Sequence, residues 1–156
     1  MRVLEMSLPQ ELFPAGSIYN PLFEDDLDGA SEKANQTVFL DRGGGTAVYI
    51  VTRWNGYSSA TDDFELESRL VLSQTRDPFS DISHDVMPGA DESIVYCGNG
   101  VKRCEMAARY SEYVVSFSAD MNIGISANNF VEFCLYIDQK LSGVVRTSSV
   151  AVTYRP

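Results

Sequence analysis

Apolar and polar residues alternate with a period of two along most of the chain after the first 36 residues, as is typical of half-buried β-strands. In FELESRLVLS, residues 64–73, one face is apolar and the other charged: the apolar face would carry Phe64, Leu66, Leu70 and Leu72, and the charged face Glu65, Glu67 and Arg69. In FVEFCLYID, residues 130–138, a strand would point Val131, Phe133, Leu135 and Ile137 inward. Strands are predicted over 37–41, 47–54, 64–73, 93–97, 101–107, 112–120, 130–138 and 143–155, the last as one or two strands.

Turn-forming residues separate these segments, for example the three glycines at 43–45. No segment has a convincing helical pattern, and the nearest candidate, residues 104–113, is long enough for only one or two turns. A series of short strands joined by Gly, Asn and Pro turns predicts an all-β sandwich or barrel.

Residues 1–35 differ from the rest of the chain. They contain Pro9, Pro14 and Pro21, which prevent a long helix or a central strand. Seven acidic and two basic residues give this segment a net charge of −5. It is also too apolar for a solvated tail. We therefore predict an extended arm over 1–35 that binds a neighbouring subunit, and a β-sandwich domain over 36–156. The predicted partner-binding residues are Leu4, Met6, Leu8, Leu12, Phe13, Ile18, Tyr19, Leu22 and Phe23.

The charge of the whole chain narrows the choice of partners. Its 156 residues include 22 acidic and 12 basic residues, which gives a net charge of −10. A nucleic-acid-binding protein needs a cationic face, and so does a protein that docks on anionic lipid, so we expect neither partner. No apolar run approaches the roughly 18–20 residues that span a bilayer. We also expect no cleaved secretion signal, and hence synthesis in a reducing compartment.

The three cysteines form no zinc-binding pattern. Cys97 and Cys104 flank a Gly-Asn-Gly turn, so they are expected on the paired strands of one hairpin, where a disulfide is geometrically possible. Cys134 is expected to be a small core residue. Because a reducing compartment is expected, three reduced thiols are the favoured state.

Candidate catalytic and cofactor groups are few. His84 is the single histidine, and no Gly-x-Ser-x-Gly motif accompanies it, so we expect a surface histidine. The acidic run that begins at Glu24 lacks the final glutamate of an EF-hand loop. Asp62, Asp63, Glu65 and Glu67 could suggest a glycosidase pair, but in a strand the two glutamates would form a solvated row. We therefore expect no catalytic, metal or cofactor site.

Two stretches of the last third carry a family resemblance. YVVSFSA at 113–119 and FCLYID at 133–138 resemble two consecutive strands of the small TNF/C1q-like jelly rolls that occur in phage virion and spore-surface proteins. The resemblance implies a jelly-roll-like antiparallel sandwich, a homotrimer, and a structural or receptor-binding role. Because no catalytic motif accompanies it, we expect that the protein is not an enzyme.

Together, these features predict a virus (phage) structural protein, most specifically a capsid decoration or cement protein. Its partners would be the major capsid protein or other virion subunits, and its location the virion, after synthesis in the host cytoplasm. The alternative is a receptor- or carbohydrate-binding module, such as a tail fibre head or adhesin. That alternative requires the aromatic residues Trp54, Tyr57 and Phe79 to cluster in one pocket.

Overall fold

One antiparallel sheet of six strands organises the chain. The computed structural model describes residues 2–40, 45–73, 83–97, 103–121 and 125–152. Neighbouring strands follow the order β1-β2-β3-β6-β5-β4. The strands are β1 (Phe23–Glu24), β2 (Glu32–Leu40), β3 (Gly45–Arg53), β4 (Glu92–Cys97), β5 (Arg103–Tyr110) and β6 (Tyr113–Asp120).

Two long helices lie on opposite faces of this sheet. Helix α1 (Tyr57–Ser73) packs on β4, β5 and β6 from one side, where Phe64 meets the small side chain of Ala107. Helix α3 (Ala127–Val152) packs on the other side, and the short α2 (Ser83–Val86) contacts both α3 and β4. None of the described helices is both long and apolar enough to cross a membrane.

Five of the predicted strand regions are confirmed. Residues 37–41 overlap β2, residues 47–54 overlap β3, and residues 112–120 overlap β6. The predicted hairpin is β4 and β5, which pair antiparallel. Residues 104–113, the nearest candidate for a helix, are not helical, because most of them form the buried strand β5.

The predicted antiparallel β architecture is confirmed in part: the described strands form one antiparallel sheet, but the all-β sandwich is not confirmed, because three predicted strands are helical. Residues 64–73 lie in α1, residues 130–138 lie in α3, and α3 continues over 143–152. The buried positions follow helical spacing of three and four residues, and the alternation read from the sequence does not describe them. In α3 the buried apolar residues are Phe130, Phe133, Cys134, Ile137, Leu141 and Val144.

These helices also change the expected architecture. The main core lies between one face of the single sheet and α3, where Phe133 packs 4.8 Å from Phe117 of β6, measured between ring centroids. Of the two stretches that carried the jelly-roll resemblance, residues 113–119 form part of β6, but residues 133–138 are helical.

The N-terminal segment folds onto the same face as α3. Its predicted partner-binding residues Met6, Leu8, Phe13 and Leu22 are buried in the main core of their own chain. The backbone amide of Leu8 donates to the Gln36 side-chain oxygen at 2.9 Å, which ties the segment to β2. Strand β2 begins at Glu32, inside the stretch expected to be an arm. Of the other predicted residues, Leu4, Leu12 and Tyr19 are partly buried, while Ile18 and Phe23 are exposed.

The cysteines correct the expectation of three reduced thiols. Cys104 is disulfide-bonded, and the strand register places it opposite Cys97. Cys134 is free and buried in the main core, as expected of a small core residue. Burial raises the pKa of its thiol to about 12, so this cysteine stays protonated at neutral pH.

Candidate binding groove and edge patch

Three large apolar side chains are exposed on the α1 side of the sheet, along its β1–β2 edge. Ile18 is 65% exposed, Phe23 is 53% exposed and Phe39 is 49% exposed. Ile18 forms a β-bridge with Phe39, and Phe23 pairs with Asn35 of β2. Paired residues of antiparallel strands point to the same face, so all three side chains share one surface. We call these three residues the edge patch.

A groove separates the edge patch from α1. It consists of two adjoining cavities of about 300 Å³ and 230 Å³. The two cavities share Ile50 of β3, Glu67 of α1 and Ser116 of β6. The sheet provides the floor and α1 provides one wall. We define the groove by nine residues that line these two cavities: Leu27, Ile50, Trp54, Asp63, Leu66, Glu67, Leu70, Glu105 and Ser116.

The position of α1 is set by contacts near its start. The guanidinium of Arg109 lies 4.2 Å from the centroid of the Tyr57 ring and donates to the Tyr57 hydroxyl at 2.8 Å. The Trp54 indole N–H donates to the Asp63 carboxylate at 2.9 Å. Because the packing of α1 is directed toward β4, β5 and β6, its Leu66 and Leu70 side chains stay about half exposed beside the groove.

Three carboxylates make the groove acidic. Burial raises the pKa values of Asp63, Glu67 and Glu105. The pKa of Glu67 is raised further by the negative charges of Asp63 and Glu105, and Lys33 partly opposes this effect. Ionised carboxylates are therefore held at a cost in this groove, and a cation placed there would be attracted to them.

The cations at the two ends of the groove already have acidic partners. Lys33 forms an ion pair with Asp28 at 3.1 Å. Arg103 forms ion pairs with Asp120 at 2.9 Å and with Glu105 at 3.3 Å. Asp28 belongs to the acidic run that was compared with an EF-hand calcium loop. Among the described residues, no group of three or more His, Cys, Asp or Glu side chains could hold a metal ion.

The other predicted sites are placed as follows. Trp54 lines the groove, whereas the Tyr57 ring stacks on Arg109 and does not line either cavity. Phe79, the third aromatic residue of the proposed sugar pocket, lies outside the described residues, as do the first two of the three turn glycines. His84 belongs to α2, although the structure does not describe its side chain.

Sequence reasoning missed the role of Glu67. In a strand this glutamate would belong to a solvated row, but in α1 it is partly buried and faces the sheet. A helical reading places Glu67 one turn from Phe64 and one turn from Val71, both of which are buried. The spacing of these apolar residues was the signal that could have placed Glu67 beside the groove.

Comparisons with known proteins add no family to this description. No protein-family model matches the chain, and a search of curated proteins found no match to it.

Proposed function

We propose that the protein is a non-enzymatic structural component that assembles with other protein subunits through its edge patch. The observation that carries this proposal is the exposure of Ile18, Phe23 and Phe39 on one surface. Ile18 pairs directly with Phe39, and Phe23 lies on the same face opposite Asn35, four residues from Phe39 along β2. Single exposed apolar residues are common, but several large ones on one surface are typical of an interaction site. Burying this group against another subunit would remove apolar surface from water, which favours assembly.

The specific form of the proposal is decoration of a virus particle by a homotrimer. Two of the arm residues expected to bind a neighbour, Ile18 and Phe23, belong to the edge patch and are free of the main core. Cyclic association around this sheet edge would bring the patches of three chains into contact. The major capsid protein or another virion subunit would then be the partner of the assembled trimer.

Light scattering at several protein concentrations tests the assembly step. We expect a mass of three times 17.3 kDa for the wild type. The substitution Phe39→Ser should lower this mass, because it places a polar hydroxyl in the subunit contact. Leu135→Ser is the matched control, since Leu135 is 45% exposed on the opposite side of the sheet. A monomeric wild type, or equal masses for the two variants, would contradict assembly through the edge patch.

The virion setting requires a separate experiment. Particles are purified from cultures that produce the protein, and their subunits are identified by mass spectrometry. We expect the chain in the particle fraction, at a stoichiometry related to that of the major capsid protein. Detection only in the particle-free fraction would contradict capsid decoration and leave the assembly measurement unaffected.

A further inference from the structure

Three leucines form an apolar rim along the groove. Leu27, Leu66 and Leu70 are each about half exposed, and Ile50 lies on the floor between them. This surface lies beside the edge patch but is distinct from it, because none of the three patch residues lines the groove cavities. Apolar side chains arranged along a groove of this kind fit the apolar face of a peptide segment.

Glu67 gives the groove its electrostatic character. Its side chain lines both cavities, the first together with Asp63 and the second together with Glu105, and the negative charges of these two residues raise its pKa. Asp63 accepts a hydrogen bond from Trp54, and Glu105 is paired with Arg103. Among the described residues, by contrast, Glu67 has no ion-pair partner, although Lys33 attracts it from a distance.

The net charge of the chain indicates which kind of protein segment the groove would bind. A second copy of this chain also carries a net charge of −10, so it would bring like charge toward the groove carboxylates. A basic segment would bring opposite charge and would neutralise Glu67. Its apolar residues would at the same time cover the leucines at the rim.

We propose that the groove binds an amphipathic segment of a partner protein, with apolar side chains on Leu66 and Leu70 and a Lys or Arg on Glu67. This inference rests on the proposed function, in that it treats the protein as one that works by binding other proteins. It adds a second contact surface, and the chemistry of the segment that fits it.

Trp54 provides a direct measurement, because it is the chain's single tryptophan and lines the groove. Three synthetic peptides of about 18 residues, roughly 27 Å as helices, serve as probes. The first has an amphipathic pattern of Leu and Lys, the second replaces Lys by Glu, and the third replaces Leu by Ser. We expect only the Leu/Lys peptide to change Trp54 fluorescence saturably, with weaker binding at higher salt.

Two pairs of variants locate the binding site. Glu67→Gln should weaken binding of the Leu/Lys peptide about three- to tenfold, as expected for loss of a partly desolvated ion pair. Glu132→Gln removes an equal charge from α3 on the other side of the sheet and should leave binding unchanged. Likewise, Leu66→Ser should weaken binding, whereas Leu135→Ser should not.

The outcomes separate this inference from the proposed function. If the Leu/Lys and Leu/Glu peptides bind equally well, the inference that the partner segment is basic is overturned. If the Lys/Ser peptide binds as well as the Leu/Lys peptide, the acidic surface alone attracts the peptides, and the inferred apolar contacts are overturned. Equal effects of Glu67→Gln and Glu132→Gln would place the peptide elsewhere and overturn the groove. If no peptide binds, the groove proposal fails. Assembly through the edge patch is judged independently, by the light-scattering mass of the Phe39→Ser variant.

Discussion

The carboxylate of Asp138 holds three parts of the chain together. It lies on α3 and is buried, and it accepts a hydrogen bond from the Tyr110 hydroxyl of β5 at 2.7 Å. It also accepts from the backbone N–H of Gly89 at 3.0 Å, which ties the loop after α2 to α3. A buried carboxylate is tolerated when its oxygens are hydrogen-bonded in this way, so each donor depends on Asp138.

Replacing Asp138 by alanine should therefore be strongly destabilising. The buried Tyr110 hydroxyl and the Gly89 amide would both lose their acceptor, at a cost of about 3 kcal/mol in the free energy of unfolding. Urea denaturation at pH 7 measures this change. Asp62→Ala is the control, because Asp62 is exposed on α1. Equal losses for the two variants would mean that the Asp138 hydrogen bonds do not stabilise the fold.

Replacing Glu67 should stabilise the folded protein, in contrast to replacing Asp138. Burial raises its pKa in the folded state, so between the unfolded and folded pKa values the folded protein binds more protons. The contribution of Glu67 to the free energy of unfolding therefore falls as pH rises through this interval. At pH 7, Glu67→Gln should be more stable than the wild type by roughly a few tenths of a kcal/mol, since the side chain is only partly buried.

The pH dependence of this difference is the decisive measurement. The gain should shrink as pH falls and vanish well below about 4, where the carboxyl is protonated in both the folded and the unfolded state. Glu132→Gln, on the exposed surface of α3, should show no comparable gain. If the Glu67→Gln variant is less stable than the wild type at pH 7, burial of the ionised Glu67 carboxylate does not destabilise the folded protein. Glu67 would then have a stabilising partner.

At the scale of elements, α3 shows why strands and helices were confused. Over residues 130–138, apolar residues occupy almost every position, so both a period of two and a period of 3.6 can be fitted. The longer stretch decides between them, because Ile137, Leu141 and Val144 continue the helical spacing. Length was the stronger signal, since strands rarely extend over 26 residues as α3 does.

A pair of leucines on α3 tests this helical spacing in solution. Leu141 is fully buried, so Leu141→Ala should lower the free energy of unfolding by about 2–5 kcal/mol. Leu135→Ala should cost less than about 0.5 kcal/mol, because this side chain is about half exposed. The strand reading places Leu135 inward beside Phe133 and Ile137. A large loss for Leu135→Ala would therefore favour the strand.

The sheet itself was more predictable than its helices. Strand β3 combines β-branched and aromatic residues with a following Asn-Gly pair, and the β4–β5 hairpin has its own turn signal. These cues are local and depend little on the rest of the fold. The groove is not local, since its carboxylates come from α1 and β5, which lie far apart in the sequence. Only the position of Trp54, at the end of a strand, was anticipated.

At the scale of the whole molecule, the N-terminal segment and α3 together cover one face of the sheet. Phe13 packs 5.0 Å from Phe133 of α3, measured between ring centroids, and Met6 and Leu8 are fully buried. This explains why so apolar a segment with so many prolines is ordered. Its backbone cannot form a long helix, but it can lay side chains on an existing sheet. Ile18 and Phe23, the two edge-patch residues of this segment, remain exposed.

Leu8 and Ile18 separate these two roles of the segment. Leu8→Ala should lower the free energy of unfolding by about 2–5 kcal/mol, because its side chain is fully buried in the core of its own chain. The light-scattering mass of the folded variant should stay that of the wild type. Ile18→Ala should cost less than about 0.5 kcal/mol but lower the mass, because Ile18 is exposed in the edge patch. If Leu8→Ala instead lowers the mass and leaves the stability unchanged, the segment binds a neighbouring subunit. The description of Leu8 as part of the core of its own chain would then be wrong.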